Sequence, residues 1–261
     1  MITCRTFLLC MGLLGGVLNP AFGMLADNIK FDDTRTYGDV IVKNVKQGDF
    51  RVYHAELGSD IDSNFDTVLK RILAFDERCN NDYKEKRKYM DKTKDCAQHN
   101  DNLVESFIIR DLKKGHAVLD NETQRFLILR NIYNRETFQY YDLVTVQQSR
   151  NQQGKRKAVV IYRMLSDAEA QTYIEHPVKK NNVFNVIEGV YTIEELGDPK
   201  TSVKMSYTSQ TDHWMLTSGF AAGIVSKNVA KGTSATLKSL NFALPFETRK
   251  NDGSGAQIKK L

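Results

Sequence analysis

The sequence predicts an α+β domain: a curved antiparallel sheet wrapped around one long C-terminal helix, with a helical segment near the N-terminus. Three observations lead there. Strand-like runs follow one another through short turns between residues 103 and 208, the pattern of an antiparallel meander. Helical periodicity is concentrated at the two ends, over 60–75 and 211–244. The last strand, 201–208, sets Val203, Met205 and Tyr207 on one face and runs directly into the final helix.

Each element follows in order. Residues 40–42 and 50–53 are short strands, with Gly48-Asp49 as the turn between them. The first helix is capped by Asp62 or Ser63 and carries the stripe Phe65, Val68, Leu69, Ile72 and Leu73. The turn His99-Asn100-Asp101-Asn102 joins a strand at 89–97 to one at 103–112. Further strands are read around 126–129, over 138–148 and over 158–164, with a short helix at 167–173. Residues 183–196 and 201–208 pair as a hairpin across Gly197-Asp198-Pro199. Past the turn Thr211-Asp212-His213-Trp214, the final helix shows Phe220, Ile224, Val225, Val229, Leu237, Leu240 and Leu244.

The bulk properties bound the function. An apolar run over 7–18, a positive Arg5 before it and small residues at Ala21 and Gly23 read as a signal peptide over 1–23. The run is shorter than the roughly 20 apolar residues a membrane span needs. Residues 24–38 are a lead-in, 39–247 a single domain and 248–261 a flexible polar tail. The expected location is therefore outside the cytoplasm, periplasmic or secreted. The net charge of +5 is scattered apart from a basic cluster at 84–94, which reads as a solvated face, so no nucleic-acid partner is expected. Cys79 and Cys96 are an even pair in an oxidising compartment and are read as a disulfide, with two buried thiols as the alternative.

Three stretches resemble START-related lipid-transfer domains, the helix-grip fold that also includes polyketide cyclases. They are Tyr141-Asp142-Leu143-Val144-Thr145-Val146; Ile187-Glu188-Gly189-Val190-Tyr191-Thr192-Ile193 with Lys200-Thr201-Ser202-Val203; and Asp212-His213-Trp214-Met215 leading into the helix. Tyr141 stands where the family motif begins with arginine, and Leu216 where the family has proline. The resemblance implies a tunnel between sheet and helix that receives a lipid or other hydrophobic small molecule. Its expected lining is Tyr191, Ile193, Val203, Met205 and Tyr207 on the hairpin, Phe220, Ile224 and Val229 on the helix, and Tyr141 with Asp142 as a polar end. Core packing is the competing reading for each of these residues. The resemblance also leads to a monomer that touches membrane surfaces transiently.

Catalysis has less support. His54, His99, His116, His176 and His213 show no metal-ligand spacing, and no cofactor motif or nucleophile elbow is present. A carrier rather than an enzyme is expected. The alternatives are a cyclase-like enzyme using Asp142, Tyr141 and His213, and an interaction protein whose cavity is filled by its own side chains.

Overall fold

The computed structural model describes residues 24–75, 103–112, 122–134, 136–175, 183–197 and 199–241, with 103–139 described by backbone alone. The leader at 1–23, the strand at 89–97, the basic cluster, Cys79, Cys96, His99, His116, His176, Leu244 and the tail lie outside the described residues.

A 3-10 turn, Leu25–Asn28, opens the described chain, and strands β1 (Asp33–Tyr37), β2 (Val40–Gln47) and β3 (Phe50–Ile61) follow. Helix α1 (Phe65–Leu73) separates them from β4 (Leu103–Leu112), β5 (Glu122–Asn134), β6 (Glu136–Arg150) and β7 (Arg156–Met164). Helix α2 (Asp167–Tyr173), strands β8 (Val186–Gly197) and β9 (Lys200–Thr211), and helices α3 (Trp214–Thr217) and α4 (Gly219–Ser239) complete it. The strands form one sheet in the order β1-β2-β3-β9-β8-β7-β6-β5-β4, every neighbouring pair antiparallel. Helix α4 lies across β2 and β3, and α1 packs on β8 and β9. This is the α+β helix-grip arrangement: an antiparallel sheet holding a long C-terminal helix.

Two expectations need correction. Asp60 and Ile61 belong to β3, where Ile61 pairs with Thr201, and α1 is capped instead by Asn64, whose side chain accepts from Thr67 N–H at 2.9 Å. The terminal helix is two helices. Ser218 keeps an extended backbone between them and its hydroxyl accepts from Ala221 N–H at 3.2 Å, so it starts a new helix rather than continuing the old one. Within the lead-in, β1 adds an edge strand, Arg35 opposite Val42.

Register assigns the faces, because directly opposed residues share a face and alternate residues do not. One row of the inner face reads Leu57, Met205, Tyr191, Val160, Val146 across β3, β9, β8, β7 and β6. The main core forms where this face meets α1: Phe65, Val68, Leu69 and Ile72 pack with Ile193, Val203, Met205 and Tyr191, and with Leu237 and Leu240 at the end of α4.

Candidate functional site

Helix α4 rests on the sheet through small side chains. Its buried residues are Ala222, Ser226, Ala230, Thr233 and Leu237, spaced by four, four, three and four, so they share one stripe. Phe220 is 89% exposed and Ile224 56% exposed. They fall two positions from Ala222 and Ser226, roughly 200° around the helix at 3.6 residues per turn. The expectation that Phe220 and Ile224 line a cavity is therefore overturned: they point outward, beside exposed Trp214 and Met215. Val229 is half-buried against Val40, Val42, Ala55 and Ala230.

Two buried arginines and a tyrosine hold the helical unit at its ends. Arg51 Nε donates to Thr217 O at 3.2 Å while its Nη1 donates to Asn44 Oδ1 at 2.6 Å. Tyr53 Oη donates to Leu216 O at 2.7 Å, and burial pushes its phenol up to about 12, so it stays a donor. At the far end Arg71 Nη1 donates to Leu240 O at 2.6 Å. These guanidiniums satisfy carbonyls that a helix end leaves without intrahelical partners.

The remaining inner face is rich in tyrosine. Tyr207 lies opposite Gly189, and Gly189 opposite Tyr162. A Cβ on Gly189 would come within 2.2 Å of Tyr162 Oη and 2.7 Å of Ser206 O, so the absent side chain makes room for the Tyr162 ring. The Tyr162 and Tyr191 rings lie 5.9 Å apart, tilted by 41°. One step along, Met164 opposes Asp142, whose carboxylate is fully buried, and Tyr140 packs with Ile187, Met164 and Tyr207. Ser209 pairs with both Tyr53 and Ile187, and its buried hydroxyl has no hydrogen-bond partner.

The structure thus gathers Asp142, Tyr191, Met205 and Tyr207 on one surface. Ile193 and Val203 fall at its α1 end, in the packed core that also takes in Tyr191 and Met205. Tyr141 is separated from them. Adjacent strand residues point to opposite faces, and Tyr141 packs on the outer face with Leu143, Leu165 and Ala170 beneath α2. The expected Tyr141–Asp142 polar end does not form. The suggested trio of Asp142, Tyr141 and His213 is likewise dispersed. His213 caps α3 just past β9, and β9 lies three strands from β6, roughly 14 Å at the usual spacing. Sequence reasoning missed Tyr140, Tyr162, Gly189 and Ser209. The alternation Ala158, Val160, Tyr162, Met164 and a glycine inside a strand were the available signals.

Among the described residues no group of His, Cys, Asp and Glu is placed to hold a metal ion, and no helix is long and apolar enough to cross a membrane.

No protein-family model matches the sequence, and no curated protein matches it. Solved structures do. A STAR-related lipid transfer protein from Xanthomonas axonopodis is 12% identical, with 80% of this chain and 96% of that one covered and a TM-score of 0.46. Human STARD10 is 11% identical over 85% of this chain and 76% of its own, at 0.47. The Zhui aromatase/cyclase from a Streptomyces species is 12% identical over 78% and 97%, at 0.37.

Proposed function

We propose that the protein binds a hydrophobic ligand bearing a polar group on the tyrosine-lined part of the inner face, and that it carries this ligand rather than converting it. One observation carries the reading: Tyr140, Tyr162, Tyr191 and Tyr207, from four neighbouring strands, share one face with the fully buried carboxylate of Asp142. Such a surface supplies apolar area worth about 25 cal/mol per Å² buried, with a few phenols and a carboxyl to orient a polar end. The expected ligand class is a lipid or similarly sized amphipathic molecule, and the protein works as a monomer outside the cytoplasm. Loading involves transient contact with a membrane surface through exposed Trp214, Met215, Phe220 and Ile224. No Asp or Glu occurs between Trp214 and Ser239, and Lys227 lies on the same helix face as Ile224, which suits an anionic surface.

Native mass spectrometry of protein purified from its own compartment tests this. A discrete lipid-sized adduct, lost in a Met205→Trp variant that fills the face, is the expected result. A bare protein mass, with no ligand recovered by organic extraction, would sink the carrier reading. Turnover of the bound molecule would replace it with the cyclase-like alternative.

A further inference from the structure

Several hydroxyls of β9 and α4 have partners inside the chain. On β9, Thr201 Oγ1 donates to Ser63 O at 2.8 Å, Thr208 Oγ1 meets His54 Nδ1 at 2.8 Å, and Thr211 Oγ1 donates to Val183 O. On α4, Thr233 Oγ1 donates back to Val229 O at 2.9 Å and Ser239 Oγ to Thr236 O at 2.6 Å. Ser209 and Ser226 differ. Ser209 is 1% exposed and Ser226 is fully buried, and neither hydroxyl has a hydrogen-bond partner. An unmade bond on a buried hydroxyl costs free energy, so folded chains seldom leave one.

The two serines belong to one place. Helix α4 runs along β3 in the same direction. Arg51 and Tyr53 reach Thr217 and Leu216 before it starts, and Ala55 packs with Ala230 further on. Ser226 stands one turn before Ala230, about 6 Å back at 1.5 Å per residue. Tyr53 stands two residues before Ala55 on the same face, about 6.6 Å back at 3.3 Å per residue. Ser226 therefore lies over β3 at the level of Tyr53. Ser209 is directly opposite Tyr53 on β9, one strand spacing away, about 4.8 Å. Both hydroxyls thus face the layer between α4 and the sheet. This layer borders the tyrosine surface. Tyr207 precedes Ser209 by two residues on the same face, and Ile187, which also opposes Ser209, packs with Tyr140.

We propose that Ser209 and Ser226 seat the polar group of the ligand, and that this group is an uncharged oxygen, a hydroxyl or a carbonyl. The proposal rests on the carrier reading above and adds the head-group class to it. A serine hydroxyl turns to donate or to accept, so a pair of them serves an alcohol or a carbonyl equally. A buried ionic head would need an opposite charge beside it. The buried cation at this end is Arg51, which donates to Thr217 O and to Asn44 Oδ1. Asn44 belongs to β2, on the far side of β3 from Ser209. The buried carboxylate of Asp142 stands on β6, three strands from β9, roughly 14 Å at the usual spacing. Neither charge is placed to pair with an ion between the two serines.

Lipid-stripped protein and three probes of one chain length provide the test: radiolabelled hexadecanol, hexadecane and palmitate. Each is delivered from cyclodextrin at neutral pH, and protein-bound label is titrated after gel filtration. The wild type should hold hexadecanol about tenfold more tightly than palmitate. Ser209→Ala and Ser226→Ala should each weaken hexadecanol about fivefold, the worth of one net hydrogen bond. Hexadecane has no oxygen, and neither substitution should change its binding. Hexadecanol binding unchanged in either variant, or hexadecane weakened as much as hexadecanol, overturns the seat. Palmitate held as tightly as hexadecanol overturns the uncharged class. A wild type that takes up none of the three refutes the carrier reading itself, and the seat with it. Each substitution removes only a partnerless hydroxyl, so both variants should fold. A fall in the urea stability of either one marks a structural hydroxyl and overturns the proposal as well.

Discussion

Helices α1 and α4 pack on the same face of one sheet, yet they do so with opposite chemistry. α1 buries Phe65, Val68, Leu69 and Ile72, whereas α4 buries chiefly Ala222, Ser226, Ala230 and Thr233 and turns Phe220 and Ile224 outward. A helix seated on large apolar side chains draws its stability from area removed from water. One seated on small side chains and hydroxyls draws less from burial. α4 is held mainly at its ends, by Arg51 and Tyr53 at the α3 corner and by Arg71 at Leu240. The first helix closes a solid core. The second is clamped at its ends, with Phe220 and Ile224 on its exposed face.

The sharpest way to break this contrast is truncation on each helix. Phe65→Ala or Ile72→Ala should cost about 3–5 kcal/mol by removing fully buried side chains. Phe220→Ala and Ile224→Ala should stay within about 0.5 kcal/mol. Urea unfolding measures both, and a cost for Phe220→Ala approaching that of Phe65→Ala would show that α4 is an ordinary core helix. Clamp removal should fall between them: Arg51→Met or Arg71→Met should lose about 1.5–3 kcal/mol, the worth of hydrogen bonds to a charged donor.

A third change probes the tyrosine surface. Gly189→Ala drives a methyl into the Tyr162 phenol and should cost about 1–3 kcal/mol. The penalty should shrink in a Tyr162→Leu background, and equal penalties in both backgrounds would assign the clash to Ser206 O instead. Ser226→Ala should raise stability by about 1 kcal/mol, because that buried hydroxyl has no partner. Scanning calorimetry on stripped and ligand-loaded protein tells whether the hydroxyl serves a ligand: if it does, only the stripped form gains.

The smallest effect is pH-dependent. Glu169 is drawn down to about 2 by Arg163, with burial opposing and the Ser166 cap assisting. Its folded value lies below the ordinary 4.5, so its contribution is present above that pH and is lost as pH falls toward 2. The side chain is 42% exposed, so solvent screening keeps the loss small and confined to α2. Hydrogen exchange of the α2 amides should rise across that window in the wild type and stay flat in Glu169→Gln.

The layout was readable because it is local: turn residues at Gly48-Asp49 and Gly197-Asp198-Pro199, and a helical stripe at Phe65–Leu73, declare themselves over short windows. The candidate site was readable only in part. Asp142 and Tyr207 share a face through strands that no local pattern can align. Tyr141 and Asp142, as adjacent strand residues, fall on opposite faces by the two-residue period of a strand. The orientation of α4 was obscured for a different reason. A stripe of Ala, Ser and Thr does not register as apolar, so periodicity points to the larger Phe220 and Ile224 instead. The lead-in's contacts, Leu25 with Glu188 and Phe31 with His54, join segments distant in sequence and leave no local signal.

The pairing of β3 with β9 carries one more consequence, in time rather than in space. Arg51 meets Thr211 and Ile61 meets Thr201, so two segments about 140–160 residues apart share a ladder at the middle of the sheet. Contacts this far apart in sequence form slowly, since a long loop must close first. Until residues near 211 leave the ribosome, β3 has an open edge. The N-terminal hairpin must therefore wait for the C-terminal one, and the chain stays unfinished through almost the whole of its synthesis.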